Sequence, residues 1–305
     1  MKYEIQYGKA DVRVYRTHAK PLRGLTAIPE SPFRGRDNTL FGAQIEVIVR
    51  GETFLEAYTA GDNRRVVATD TMKNFITEQA LVCSASTLEG WLQQIGSAFL
   101  EEYPHMERLT MVGQELPFAA GLVPESGGFT LSDRVFSRER GARSTARLDL
   151  ERDADGAVRV TGLQSGREGL KLIKLTGSAF ADFARDEHTT LPERRDRPLY
   201  IWCDIGWRYT DASEALGDPA RYVAGEQVGD LAVSVFDEFV SLSIQHLVHQ
   251  VGLRLLDRFP QLSEVSFEAQ NRLWDTATVS ESDERVRVYV EPRPPYGRIG
   301  LVMRR

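Results

Sequence analysis

The chain is poor in the residues that carry most cofactor chemistry. It has two cysteines, Cys83 and Cys203, far apart in sequence. They make no metal or redox motif, and two buried free thiols in a reducing compartment are expected. Of five histidines (His18, His105, His188, His246 and His249) only His246 and His249 lie close together. They stand at i and i+3 of an expected helix, and with no third ligand nearby they do not read as a zinc site. Glycine-rich phosphate loops and a nucleophile elbow are missing, so neither a metal nor an organic cofactor is expected. Positive charge is not in excess. The net charge of −6 disfavours a nucleic-acid partner. No run reaches the ~18 uninterrupted apolar residues of a membrane span. Met1-Lys2-Tyr3-Glu4 lacks the apolar core of a signal peptide, and Met303-Arg304-Arg305 is no peroxisomal address. A soluble, cytoplasmic protein with no membrane partner is the expectation.

What the chain does have is a repeat. Phe99-Leu100-Glu101-Glu102-Tyr103-Pro104 and Leu255-Leu256-Asp257-Arg258-Phe259-Pro260 match class by class. Both run from an apolar pair through a charged pair and an aromatic-Pro step into an alternating segment. The offset of 156 residues is close to half of the 305-residue chain. Carried onward, it aligns Gln114 with Gln270 and Phe118 with Trp274. An internal duplication is the simplest account, with units at 1–155 and 156–305.

Each half carries the same order of expected elements. In the first, strands fall at Tyr3 to Arg16 and Phe41 to Arg50, helices at Asp70 to Val82 and Thr87 to Glu102. Further strands fall at Leu109 to Phe118 and Arg143 to Arg152. In the second, strands at Gly169 to Thr176 and Pro198 to Tyr209 precede helices at Pro219 to Val240 and Ser243 to Arg258. The closing strands are placed at Glu264 to Leu273 and Val286 to Glu291. This is an α+β class: antiparallel sheets with helices on one face. Open sheet edges need covering, and several copies closing edge to edge into a barrel would do so.

Three segments bear chemistry. Val66 to Asn74 passes from an apolar run into Thr69-Asp70-Thr71 and then a helical pattern, a junction that reads first as a helix cap. Helix N-termini also hold anionic or carbonyl-rich ligands. In the first strand the inward phase switches at Gly8-Lys9-Ala10, which predicts a β-bulge that re-aims Lys9. Finally, 177–197 is longer than a strand connection needs. Phe180 there offers a flat ring and Arg197 a fixed donor fork.

Together these pieces resemble the uricase (urate oxidase) family over almost the whole chain. The matching pieces are Tyr7-Gly8-Lys9, Val66 to Asn74, Gly177-Ser178-Ala179-Phe180, Phe183 to Leu191, Asp196-Arg197, Ser243-Ile244-Gln245 and Gln270-Asn271. The stretch from Glu291 to Gly297 looks like bacterial members. The resemblance implies tandem ββααββ units of the tunnelling fold, assembled as a homotetramer around a central tunnel. It also implies cofactor-independent oxidation of urate by dioxygen to 5-hydroxyisourate and hydrogen peroxide.

By position, Arg197 and Gln245 would clamp one edge of the purine, Phe180 would stack on it and Ile244 would add a backbone contact. Thr69 and Asp70 of a neighbouring subunit would hold the opposite edge. Lys9, hydrogen-bonded to Thr69 of the next subunit, would be the base, and Asn271 would position dioxygen and then water. Many relatives place a histidine directly after this Asn or two residues on; here those positions are Arg272 and Leu273. Two other readings compete. One is another tunnelling-fold protein acting on a pterin or purine, such as a cyclohydrolase or aldolase, of which those that use zinc need Cys/His ligands. The other is a silent urate-binding relative.

Overall fold

The computed structural model describes residues 1–139, 141–290 and 293–305. Two of the residues singled out above, Glu291 and Pro292, lie outside them. The chain forms two compact units. The first comprises Met1–Ala27, Phe33–Gly166 and Arg208–Ala224; the second comprises Ile28–Pro32, Arg167–Trp207 and Gly225–Arg305.

The elements, in chain order, begin with β1 (Gln6–Thr17), β2 (Leu40–Arg50), α1 (Leu55–Thr59), α2 (Thr69–Val82) and α3 (Leu88–Glu102). Then come β3 (Arg108–Glu115), β4 (Phe118–Glu125), β5 (Gly128–Arg138), β6 (Arg143–Arg152), β7 (Val158–Lys174) and β8 (Leu199–Tyr209). The rest are α4 (Ala212–Gly217), α5 (Gly225–Glu238), α6 (Ile244–Arg258), β9 (Leu262–Asn271), β10 (Asp275–Val279), β11 (Arg287–Val290) and β12 (Arg298–Arg304).

In the first unit the sheet order is β1-β2-β3-β6, each pair antiparallel. Strict alternation explains the layering. Ile45, Val47 and Val49 of β2 are buried, and Gln44, Glu46 and Ile48 between them are half-buried. The buried face receives α3, whose Trp91, Leu92, Ile95 and Phe99 recur at helical spacing and are buried. Thr87 caps α3 by accepting from Gly90 N–H at 3.2 Å. The opposite face carries Gln44, Glu46, Gln114, Thr145 and Arg147, a polar lining.

Two carboxyl side chains, Glu89 and Glu115, are buried in the first unit. Glu89, in the first turn of α3, accepts a hydrogen bond from Ser165 at 2.7 Å and is almost fully buried. Burial pushes its carboxyl up to about 7. Tyr222, also buried, is raised by burial first and by the charges of Glu89 and Glu115 next.

The second unit repeats the plan. Its strand order is β7-β8-β9-β12, with β9 and β12 antiparallel in register from Arg298↔Gln270 to Arg304↔Glu264. Leu247, Val248, Val251 and Leu255 of α6 recur at helical spacing and are buried. Gly252 is required where α6 nears β12, since a Cβ there would lie 2.4 Å from Met303 Sδ.

The last sheet strand corrects the expectation. Val286 to Glu291 was expected to close the sheet, and β12 does so instead. Residues Arg287–Val290 are exposed at all but one position and pair with Asp275–Val279 as a separate hairpin. Ile299, Leu301 and Met303 of β12 supply the alternating inward face. The first unit has the matching insertion, the β4–β5 hairpin, also unforeseen. Phe118 opens one hairpin beside Tyr15, with ring centres 6.0 Å apart. Trp274, its partner in the repeat, precedes the other beside Tyr200, at 5.8 Å.

The β-bulge lies in β1, as the phase switch indicated: register jumps between Lys9↔Val47 and Val12↔Ile45. The strained residue is Asp11, at φ 58°, rather than Gly8. Gly8 is needed for another reason. A Cβ there would sit 1.9 Å from the Val47 carbonyl oxygen.

Candidate active site

In the first unit, Lys9 is half-buried on β1, two residues after Tyr7 and on the same strand face. The Tyr7 hydroxyl accepts from Val67 N–H at 2.9 Å. That bond pins the segment entering α2, and burial raises the Tyr7 phenol. Thr69 and Asp70 are the first two residues of α2 rather than its cap. The cap position is Ala68, which has no side-chain acceptor. By contrast α3, α4 and α6 are all capped, by Thr87, Asp211 and Ser243. The first-turn N–H groups of α2 thus face outward without a side-chain partner among the described residues, beside exposed Thr69 and Asp70.

Asp70 is held ionised. Its carboxylate accepts from Lys73 at 2.6 Å, and its proton affinity falls through that bond, then through the charges of Lys73 and Lys9. Lys9 therefore stands close to Asp70 within one chain. Within one chain Lys9 and Thr69 lie in the same unit, where Tyr7 ties β1 to the start of α2.

In the second unit two loops are locked together. Ser178 and Ser241 are fully buried with hydroxyl oxygens 3.0 Å apart. Ala179 N–H donates to Ser241 O at 2.8 Å, and Ser241 N–H donates to Gly177 O at 3.1 Å. Phe180 and Arg194 exchange backbone bonds of 2.7 and 2.9 Å, and Arg197 N–H donates to Ser178 O at 2.9 Å. Asp196 closes the loop by accepting from Gly177 N–H at 2.7 Å and from the Thr176 hydroxyl at 2.8 Å. Burial raises the Asp196 carboxyl, but these bonds outweigh it and the net shift is downward.

The result is a paired ring and cation. The Arg197 guanidinium carbon lies 5.5 Å from the Phe180 ring centre, and Phe180 stacks on Phe183 at 5.0 Å with 15° between planes. Arg197 Nε is buried without a partner, and burial lowers the guanidinium's affinity for its proton. A buried cationic donor with no acceptor is costly unless a ligand supplies one. Ser243 caps α6 by accepting from His246 N–H at 3.0 Å, which leaves Ile244 buried and Gln245 exposed on the first turn. Asn271 ends β9. Its N–H donates to Gly297 O at 3.1 Å, and its Oδ1 accepts from Gly297 N–H at 2.8 Å.

Phe180, Arg197, Ile244, Gln245 and Asn271 thus belong to the second unit, and Lys9, Thr69 and Asp70 to the first. The roles of Tyr7, Ser178, Asp196 and Ser241 were not foreseen. Tyr7, Ser178 and Asp196 stand inside quoted motifs, but only the fold reveals what they bind. No group of three His, Cys, Asp or Glu is placed to hold a metal among the described residues. Likewise, no helix there is long and apolar enough to cross a membrane.

A flat ring beside a fixed guanidinium, with an exposed amide in the same unit, fits a class: proteins that hold a planar, anionic, hydrogen-bonding heterocycle. The uricase family model matches residues 163–300. The chain is 48% identical to a uricase of Haloferax volcanii over 96% of each chain. It is 46% identical to a bifunctional uric acid degradation protein of Bacillus sp. (strain TB-90), of whose length it spans 58%. A related Bacillus subtilis bifunctional protein is spanned over 60%. The solved urate oxidase from Bacillus sp. TB-90 superposes with a TM-score of 0.95 at 45% identity, over 99% of this chain and all of that one. A uricase from Bacillus fastidious gives 0.95 at 46% identity, over 98% and 93%. The chain belongs to the uricase family.

Proposed function

We propose that this chain oxidises urate with dioxygen and water to 5-hydroxyisourate and hydrogen peroxide, as a step of purine degradation. The observation that carries the reading is the buried, partnerless Arg197 Nε beside the Phe180 ring. Urate is flat and anionic at neutral pH. Arg197 and Gln245 clamp one edge, Phe180 stacks beneath, and Ile244 lends its backbone at the start of α6. Thr69 and Asp70, at the uncapped start of α2, hold the other edge from a neighbouring copy.

Triplet dioxygen reacts slowly with closed-shell molecules, so the chain must make urate a better electron donor. Lys9, on the same copy as Thr69, takes a second proton from the substrate through the Thr69 hydroxyl. Asn271 holds dioxygen and then the water that replaces peroxide. No metal or organic cofactor takes part in this scheme. The chain is a tandem of two tunnelling-fold repeats, 1–155 and 156–305. Four copies close edge to edge into a barrel, with the polar face of Gln44, Glu46 and Gln114 lining the tunnel. The reaction takes place in the cytoplasm, with no nucleic-acid or membrane partner.

A silent urate-binding relative is the weaker reading, since relatives named uricases match at 47–48% identity along nearly the whole chain. The test is purified protein with urate in air, with and without a chelator. One peroxide per urate lost, unchanged by chelation, is the expected result. Urate binding without turnover would establish the silent relative instead.

A further inference from the structure

Asn271 has an amide with two unlike ends, and one is already committed. Gly297 N–H lies 2.8 Å from the amide and can only donate, so the atom facing it is Oδ1. The Asn271 main chain is fastened to the same residue, N–H to Gly297 O at 3.1 Å. Nδ2, with its two donors, has no partner among the described residues. The amide's orientation therefore depends on where Gly297 is held.

Gly297 is held through its neighbour. The Arg272 guanidinium carbon sits 3.5 Å from the centre of the Tyr296 ring and 4.2 Å from that of Trp202. The arginine is itself fixed: its N–H donates to Tyr200 O at 2.8 Å and Nη2 donates to Gln270 Oε1 at 2.5 Å. Arg272 Nε is buried and unpartnered, so the ring faces, not a carboxylate, hold this planar cation. The Lys171 ammonium also lies over Trp202, at 4.5 Å.

We infer that Arg272 is a positioning residue: clamped between Trp202 and Tyr296, it seats Tyr296-Gly297 so that Asn271 presents Nδ2, a donor, to the bound oxygen species. The inference rests on the urate-oxidation reading and deepens it. Dioxygen gaining electron density, peroxide and water all accept hydrogen bonds. A donor favours the charge developing on them, and an inverted amide would set oxygen against oxygen. Arg272 touches neither substrate nor oxygen in this account and acts only through Asn271.

The test uses the full chain with Arg272→Leu, Tyr296→Leu, Tyr296→Phe and the double leucine variant. Steady-state kinetics with urate are paired with hydrogen exchange at the Gly297 amide. Each leucine variant should lower kcat about tenfold and leave KM within about twofold. The double variant should be no worse than either single one, because the two residues act as a unit. Tyr296→Phe keeps the ring face and should restore kcat. Gly297 exchange should quicken in the leucine variants and not in Tyr296→Phe. Unchanged exchange and kcat in both leucine variants overturns the inference. So does a KM increase at constant kcat, or a phenylalanine variant as impaired as the leucine one. A wild-type chain that consumes no urate overturns the function and with it the role of Asn271. Gly297 exchange then reports on the clamp alone, so the two failures are distinguishable.

Discussion

Lys9 and Arg197 are both basic side chains, and the account gives them opposite kinetic signatures. Lys9 is half-buried on β1 and moves a proton, so its removal should cost turnover and spare binding. Lys9→Met is expected to lower kcat about 100-fold or more, with the urate Kd nearly unchanged. Wild-type turnover would refute its role as base. Arg197 instead binds. Losing a charge-assisted pair to the substrate should raise KM by about 10- to 100-fold in Arg197→Gln, with a smaller effect on kcat. Stopped-flow binding and steady-state rates separate the two. An Arg197→Gln variant with wild-type KM would remove the clamp from the account.

Among the elements, α3 brings a carboxyl into the core. Glu89 is buried in its first turn, and its folded value of about 7 stands above the usual 4.5. The folded state holds the proton more tightly, so this contribution to stability is fully present below pH 4.5 and is lost as pH rises through about 7. The whole effect is on the order of 3 kcal/mol. The urea midpoint should therefore fall between about pH 5 and about pH 8, and Glu89→Gln should flatten that part of the profile. Equal slopes in the two proteins would show that Glu89 is not the group responsible. A buried acid of this kind is invisible in sequence, where Glu89 looks like an ordinary first-turn glutamate.

Other elements were legible, for physical reasons. The helices α2, α3, α5 and α6 and the strands β1, β2, β3, β6, β8 and β9 announce themselves through periodicity, because each buries one face. The two aromatic-Pro junctions both fall where a long helix hands over to a strand, α3 to β3 and α6 to β9. The bulge after Lys9 shows as a change of phase. What failed was the choice between Val286 to Glu291 and β12. Both alternate, the former is richer in β-branched residues, and only contact with α6 decides which one closes the sheet. The candidate site was legible as residues but not as a scaffold. The Ser178–Ser241 pair, the Asp196 anchor and the Tyr7 bond join segments far apart in sequence, and no local pattern marks such partners. The absence of a cap on α2 also escaped notice, since Thr69 and Asp70 look like caps until the helix is seen to start at Thr69.

At the scale of the whole molecule, the two halves of the proposed site fall in different units of one chain. Lys9, Thr69 and Asp70 stand in the first; Phe180, Arg197, Gln245 and Asn271 stand in the second. The assembly reading joins the first half of one copy to the second half of another. Monomers separated by dilution should then lose urate turnover while keeping their secondary structure, as circular dichroism and sedimentation would record. The most direct measurement is complementation. Lys9→Met and Arg197→Gln chains are co-expressed in equal amounts and assayed for urate loss at urate well below the wild-type KM, where each alone is nearly inactive. With sites shared between copies, random mixing makes about a quarter of the sites fully wild-type, and activity should recover to about that fraction. If every site lies within a single chain, each carries one lesion, and mixed assemblies with no recovered activity would contradict the shared site.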